Sequence, residues 1–156
     1  MPVAKLSTGI NLYYESHGHG EAIVFIPGTG FAGNVWIESQ VEELARSHQV
    51  IVHDPRGCGR STHAKGVYTI DLMGNDVVAL LEHLSVPQAH VIGHSMGGRI
   101  GLSIALNFPG KVKSLIIAAG GSGPAGKDGP ESVSGLPFRL AFELMELSFE
   151  GYVKHE

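Results

Sequence analysis

The sequence is short of charge, of cysteine and of long apolar runs. Only 17% of its 156 residues are charged, and the formal net charge is −4. No basic cluster accompanies that balance, so nucleic acid is not expected as a partner. A single cysteine, Cys58, leaves nothing for an internal disulfide, which fits a reducing compartment. No apolar run approaches the ~20 residues that cross a bilayer. The opening Met1-Pro2-Val3-Ala4-Lys5 lacks the apolar stretch of a secretory signal. The expected setting is therefore cytoplasmic, with no membrane partner. The 9 histidines show no convincing ligand spacing, so neither a metal nor a cofactor is expected. What the chain does have is a 43% hydrophobic content and 22 glycines, a globular composition with enough length to bury a core.

Short apolar runs at Val3 to Leu6 and Ile10 to Glu15, joined by Ser7-Thr8-Gly9, predict a β-hairpin. Ala22 to Ile26 is a continuous apolar run that stops at Pro27-Gly28. Such runs suit strands buried on both faces of a parallel sheet. Asn34 can cap the segment that follows, where Trp36, Ile37, Val41, Leu44 and Ala45 keep helical spacing. Gln49 to His53 is a second buried-type strand. Thr69 to Leu84 predicts a helix with Met73, Val77, Leu80, Leu81 and Leu84 on one face, ended by Ser85-Val86-Pro87. Ala89 to Gly93 reads as a strand, Met96 to Phe108 as a helix and Val112 to Ala119 as a last strand.

This alternation from residue 22 to 119 predicts an α/β fold: a mostly parallel sheet with helices on both faces. Composition changes after Ala119. Residues 120–135 read as a flexible linker. Residues 136–156 follow, with an amphipathic helix over 136–153. Phe138, Ala141, Phe142, Met145 and Phe149 form its apolar stripe, which needs a partner surface.

The segment that carries chemistry is Gly93-His94-Ser95-Met96-Gly97, a G-x-S-x-G between a predicted strand and a predicted helix. A tight turn there lifts the serine hydroxyl clear of the sheet edge, and flanking glycines relieve crowding at the strained backbone. The N–H groups that open the helix face outward, where a developing negative charge is stabilised. A second signal is Pro27-Gly28-Thr29-Gly30, directly after the strand Ala22 to Ile26. A third is Asp54-Pro55-Arg56-Gly57-Cys58-Gly59-Arg60-Ser61, a turn with two glycines free to take positive φ. Its expected role is structural, with Asp54 and Arg56 tying loops together. Cys58 has no base in a defined relation to it and is not read as a nucleophile.

In order and context, these motifs resemble the α/β-hydrolase superfamily, near its small-molecule esterases and enol-lactone hydrolases. Residues 1 to about 125 carry the resemblance, as the N-terminal part of that core (1–119), and the later residues are similar to the start of a lid. The resemblance implies Ser95 as nucleophile. It implies an oxyanion hole formed by the backbone N–H groups of Thr29 and Met96, with Gly28, Gly93 and Gly97 supporting the turns. Pro27 stands where many members have histidine; the donor is the N–H of a following residue, so the hole survives the change.

The same resemblance implies an acid and a histidine further along the chain, in the order Ser, Asp or Glu, His. After Ser95 the only histidine is His155. Asp128 and His155 satisfy the order but lie in the linker and at the end of the lid helix, on no sheet-edge loop that would fix them. His94 is expected to point away from the hydroxyl, His53 to lie near the site mouth, and His63, His83 and His90 to be surface or helix-end residues. The core therefore reads as a truncated α/β-hydrolase that ends in the first lid helix. Its expected activity is cleavage of a small carboxylic ester or lactone through an acyl-enzyme, very weak in the isolated chain. Two alternatives stand beside it. One is a half-enzyme completed by a homodimer or a complementing chain through the edge strand 114–119 and helix 136–153. The other is a non-catalytic small-molecule-binding module. Perhydrolysis of the haloperoxidase type fits the same serine; dehalogenation would need an acidic nucleophile there.

Overall fold

The computed structural model describes residues 2–66 and 68–120. The linker 120–135, but for Gly120, and the helix expected at 136–153 lie outside the described residues. Six strands form one sheet in the order β1-β2-β4-β3-β5-β6. They are β1 (Val3–Lys5), β2 (Asn11–His17), β3 (Glu21–Ile26), β4 (His48–His53), β5 (Ala89–His94) and β6 (Val112–Ala118). The opening hairpin is antiparallel, as its turn at Ser7-Thr8-Gly9 requires, with Val3 opposite Tyr13. β2 continues antiparallel onto β4. From β4 through β3 and β5 to β6 every pairing is parallel, as expected for strands joined by helical crossovers.

The two faces are covered unequally. One carries α2 (Ile70–His83) and α3 (Met96–Asn107). Val77, Leu80, Leu81, Ile100 and Ile104 pack there against Val24, Ile26, Ile51 and Val91. Thr69 caps α2 by accepting from the Leu72 N–H at 3.1 Å. Its C-terminus closes with Ser85 at φ 56°, Ser85 N–H donating to Glu82 O and Val86 N–H to Leu81 O. That pairing satisfies the last carbonyls of the helix, with a serine where glycine is usual.

The other face carries a smaller core of Ile23, Phe25, Val50, Val52 and Val41, with Trp36, Ile37 and Leu44 packed on it. Its covering segment is not one regular helix. A 3₁₀ turn at Gly33–Trp36 runs into a π-type turn at Ile37–Val41 and a short α1 at Glu42–Leu44. Asn34 does not cap it, contrary to expectation. The residue before the turn is Ala32, which has no side-chain acceptor. Asp54 takes the role from outside, accepting from the Gly33 N–H at 3.0 Å. Gly33 is pressed so closely on β4 that a Cβ there would lie 2.7 Å from the His53 carbonyl oxygen. The anchor therefore comes from the neighbouring strand rather than from the next residue in sequence.

The register places Phe25 opposite Ile92 and Ile92 opposite Ile116. Toward β6 this face thins out, and Ile116 is 42% exposed. Among the described residues no helix is long and apolar enough to cross a membrane.

Candidate active site

Ser95 sits between the end of β5 and the start of α3 at φ 53°, ψ −116°. This left-handed backbone is costly for a residue with a Cβ and persists only where its surroundings enforce it. Two hydrogen bonds do so here. Ser95 N–H donates to the Ala118 carbonyl of β6 at 2.8 Å, and its own carbonyl accepts from Gly98 at 3.0 Å. The flanking glycines are sterically required. A Cβ on Gly97 would lie 2.1 Å from the Ile26 carbonyl oxygen, and one on Gly93 would lie 2.2 Å from that of Gly97. Without side chains at these positions, the first turn of α3 rests directly on the backbone where β3 ends.

That contact brings the second motif to the serine. A Cβ built on Gly28 would sit 3.4 Å from the Ser95 Cβ and 3.1 Å from the His94 Nδ1. Phe31 N–H closes a turn onto the Gly28 carbonyl at 3.2 Å, and Gly30 takes φ 76° at its third position. Thr29 is thus held at the exposed tip of a fixed turn next to the nucleophile position. Met96 is the first residue of α3, where backbone N–H groups have no partner within the helix. The structure therefore gathers Ser95, Met96, Gly97, Gly93, Gly28 and Thr29 at one end of the parallel sheet.

The third motif lies behind this end and is a brace. Asp54 is buried and accepts from the Arg60 backbone N–H at 2.9 Å and Arg60 Nε at 2.8 Å, besides Gly33. Burial pushes its carboxyl toward the neutral form, but the Arg60 and Gly33 hydrogen bonds outweigh that and hold it below the ordinary carboxylate range. Arg56 does not join Asp54. It makes a two-pronged buried ion pair with Asp76 of α2, at 2.5 and 2.6 Å, and Thr8 of the β1–β2 turn donates to the same carboxylate at 2.6 Å. Arg60 also lies 3.4 Å over the Tyr13 ring. Cys58 is half-buried, and burial raises its thiol further from the thiolate form, which agrees with its exclusion as a nucleophile.

The histidines fall in different places. His53 is not at the site mouth: it is buried at 2% exposure beneath Gly33. Strand β4 carries it into the interior because the Gly33 turn packs over the strand end. Burial lowers its imidazole to about 4, and its Nδ1 has no partner among the described residues. His63 and His83 are exposed, and His90 pairs with Glu21 at 3.2 Å on the sheet surface. His94 stands edge-on to Trp36, with ring centroids 6.4 Å apart. No hydrogen bond joins it to Ser95 among the described residues.

Between these groups lies a cavity of about 260 Å³. Gly28 and His94 form the wall nearest the serine, and Phe31, Val35 and Trp36 form the apolar remainder. Ser39 and Gln40 also line it. Sequence reasoning placed Trp36 on a helix face but missed this pocket, because its wall comes from an irregular segment whose side-chain directions no regular period predicts. The only sequence signal was the cluster of large apolar residues directly after the Pro27-Gly28 turn.

Comparison with known proteins agrees with this geometry. A family model for the alpha/beta hydrolase fold matches residues 21–155. RutD of Azorhizobium caulinodans, which carries the name of a carbamate hydrolase, is 43% identical over 110 residues, covering 70% of this chain and 41% of that protein. The 3-oxoadipate enol-lactonase 2 of Acinetobacter baylyi is 37% identical over 111 residues, covering 70% of this chain and 41% of that protein. Among solved structures, Est816, described as an N-acyl homoserine lactone degrading enzyme, superposes with a TM-score of 0.74 at 36% identity. That match covers 78% of this chain and 46% of the other. The chain thus spans less than half the length of these relatives. On the match of the family model and the fold it describes, the chain belongs to the alpha/beta hydrolase fold family.

Proposed function

We propose that this chain carries the nucleophile and oxyanion-binding half of a serine hydrolase site acting on a small carboxylic ester or lactone. The observation that carries the reading is the backbone of Ser95, held in a strained conformation at the head of α3 by Ala118 and Gly98. Ser85 takes positive φ merely as a helix cap; at Ser95 it is combined with ψ −116° on a strand-to-helix turn, the strained geometry that presents a side chain for chemistry. The names of the lactonase and lactone-degrading relatives point to the same bond class. The carbamate hydrolase name adds a second acyl-type substrate.

In the proposed reaction Ser95 Oγ attacks the carbonyl carbon while a base removes its proton. The carbonyl oxygen becomes an oxyanion and accepts from the N–H groups of Thr29 and Met96, aided by the positive end of α3. Collapse expels the alkoxide, which takes up the proton, and leaves an acyl group on Ser95. Water then releases the acid. Among the described residues no base reaches Ser95: neither His53 nor His94 hydrogen-bonds to it. Without a base, oxyanion stabilisation and binding retain only about 10³–10⁴ over the reaction in water. The proposed cure is a histidine and an acid from a further segment or a complementing chain.

The open edge of β6 favours a second reading of assembly, in which this unit acts as a half-enzyme or pairs as a homodimer. Its carbonyl and N–H groups on that side have no strand partner among the described residues, and Ile116 is 42% exposed. A fluorophosphonate probe separates the readings. Labelling of Ser95 that disappears in Ser95→Ala supports the hydrolase site. Ligand binding with no adduct at Ser95 under any condition supports a non-catalytic module instead.

A further inference from the structure

The cavity beside Ser95 has a composition that selects its contents. Among the described residues its lining contains no carboxylate, ammonium or guanidinium: Phe31, Val35, Trp36, Gly28 and His94 form the walls, with Ser39 and Gln40 also lining it. Phe31 and Val35 are 53% and 45% exposed. Large apolar side chains left this open at the wall of a cavity gain from contact with an apolar ligand. Gly28 is the shared boundary. The space a side chain would occupy there lies within contact distance of both the Ser95 Cβ and the His94 ring. Two wall residues of the cavity, Gly28 and His94, therefore adjoin Ser95. At about 260 Å³ it is smaller than the ~300–1,000 Å³ of pockets that take whole ligands. It fits one substituent of a substrate, not the complete molecule.

Resting on the reading of Ser95 as nucleophile, we propose that this cavity is the acyl subsite and takes a short, uncharged, unbranched acyl chain. A chain attached to a carbonyl above Ser95 enters past Gly28, lies against Trp36 and Val35, and ends near Ser39. A terminal carboxylate would be desolvated there, with no cation among the described lining residues to receive it. A branch next to the carbonyl would meet the Gly28–His94 wall.

The chain contains one tryptophan, and it lines this cavity, so occupancy is readable without turnover. Straight-chain N-methyl amides from acetyl to octanoyl, with matched amides bearing a terminal carboxylate, are titrated against Trp36 fluorescence. The expected result is saturable binding with an optimum between propionyl and hexanoyl, and at least about tenfold weaker binding of the carboxylates. Val35→Phe and Ser39→Phe, both at exposed positions, shift the optimum to shorter chains and weaken the longest well-bound amide about tenfold. The proposal is overturned by an absent Trp36 response, by carboxylates that bind as well as the neutral amides, or by an optimum that neither filling variant moves. It is equally overturned if the fluorescence change follows protein concentration rather than ligand, since a second copy would then occupy the cavity. The same titration on Ser95→Ala separates the two claims. Unchanged amide binding there, with no probe adduct in the parent chain, keeps the subsite and removes the nucleophile.

Discussion

Ser95 shows what a single residue can reveal. Its left-handed backbone costs about 1–3 kcal/mol, so Ser95→Gly is expected to raise stability by about 1 kcal/mol in urea denaturation while removing the hydroxyl proposed as nucleophile. A loss of stability would mean that the side chain, not the backbone, holds the turn. Gly97→Ala should act in the opposite sense. Its new Cβ would collide with the Ile26 carbonyl, and neither backbone can yield without parting α3 from β3. His53 gives a pH signature. Its imidazole is held near 4 by burial, against an ordinary value of 6.5. Because the folded value is depressed, the neutral ring is favoured in the fold. The associated stability is complete above pH 6.5 and is lost as pH falls from 6.5 toward 4, by up to ~3 kcal/mol. His53→Phe, of similar bulk and without a proton to gain, should flatten urea midpoints across that range. A parallel decline in the variant would assign the acid sensitivity to other groups, Asp54 among them. This residue also marks a limit of sequence reading. His53 ends an apolar strand, and nothing in the local pattern says whether the chain beyond it turns toward solvent or folds under Gly33.

At the scale of elements, the regular parts were legible and the irregular part was not. The strands at Ala22 to Ile26 and Ala89 to Gly93 and the helix after Ser95 were readable because continuous apolar runs and glycine-flanked turns mark parallel strands and their crossovers. The segment Gly33–Leu44 defeated the same reasoning. It changes from 3₁₀ to π to α within twelve residues, so Phe31, Val35 and Trp36 face a common cavity that no single period shows. Its anchor, Asp54, lies 21 positions away, beyond the reach of local capping rules. Long-range ties of this kind also hold the other face. Arg56, Asp76 and Thr8 join the third motif, α2 and the opening hairpin through one buried carboxylate. Asp76→Leu leaves Arg56 buried without a partner and should cost about 3–5 kcal/mol, whereas Arg56→Met with Asp76→Leu should cost less. A double-mutant cycle by chemical denaturation measures the difference. A cost for the double variant equal to the sum of the two single costs would show that the pair is not coupled.

For the whole molecule, the decisive feature is the asymmetry between a well-covered face and a thinly covered one that ends at β6. Among the described residues β6 is an unpaired edge, and such an edge favours self-association, so sedimentation should show a concentration-dependent rise in mass that Ile116→Lys reduces. The sheet order and the parallel pairings fit the alpha/beta hydrolase fold, and the chain spans less than half of its relatives. Motif order alone marked the strand-to-helix turn at Ser95, the proposed nucleophile, because that turn is encoded by residues adjacent in sequence. The base could not be located in the same way, since long-range packing, not adjacency in sequence, brings such a group to Ser95. Ser95 as nucleophile is tested by the rate of fluorophosphonate labelling, mapped by mass spectrometry. The rate is measured with the chain alone and with the separately expressed C-terminal half of a lactonase relative. The expected result is slow labelling of the chain alone, about 10³-fold or more faster labelling with the second half, and an adduct on Ser95 that is absent from Ser95→Ala. No adduct on Ser95 in either mixture, or equal labelling of Ser95→Ala, would contradict it.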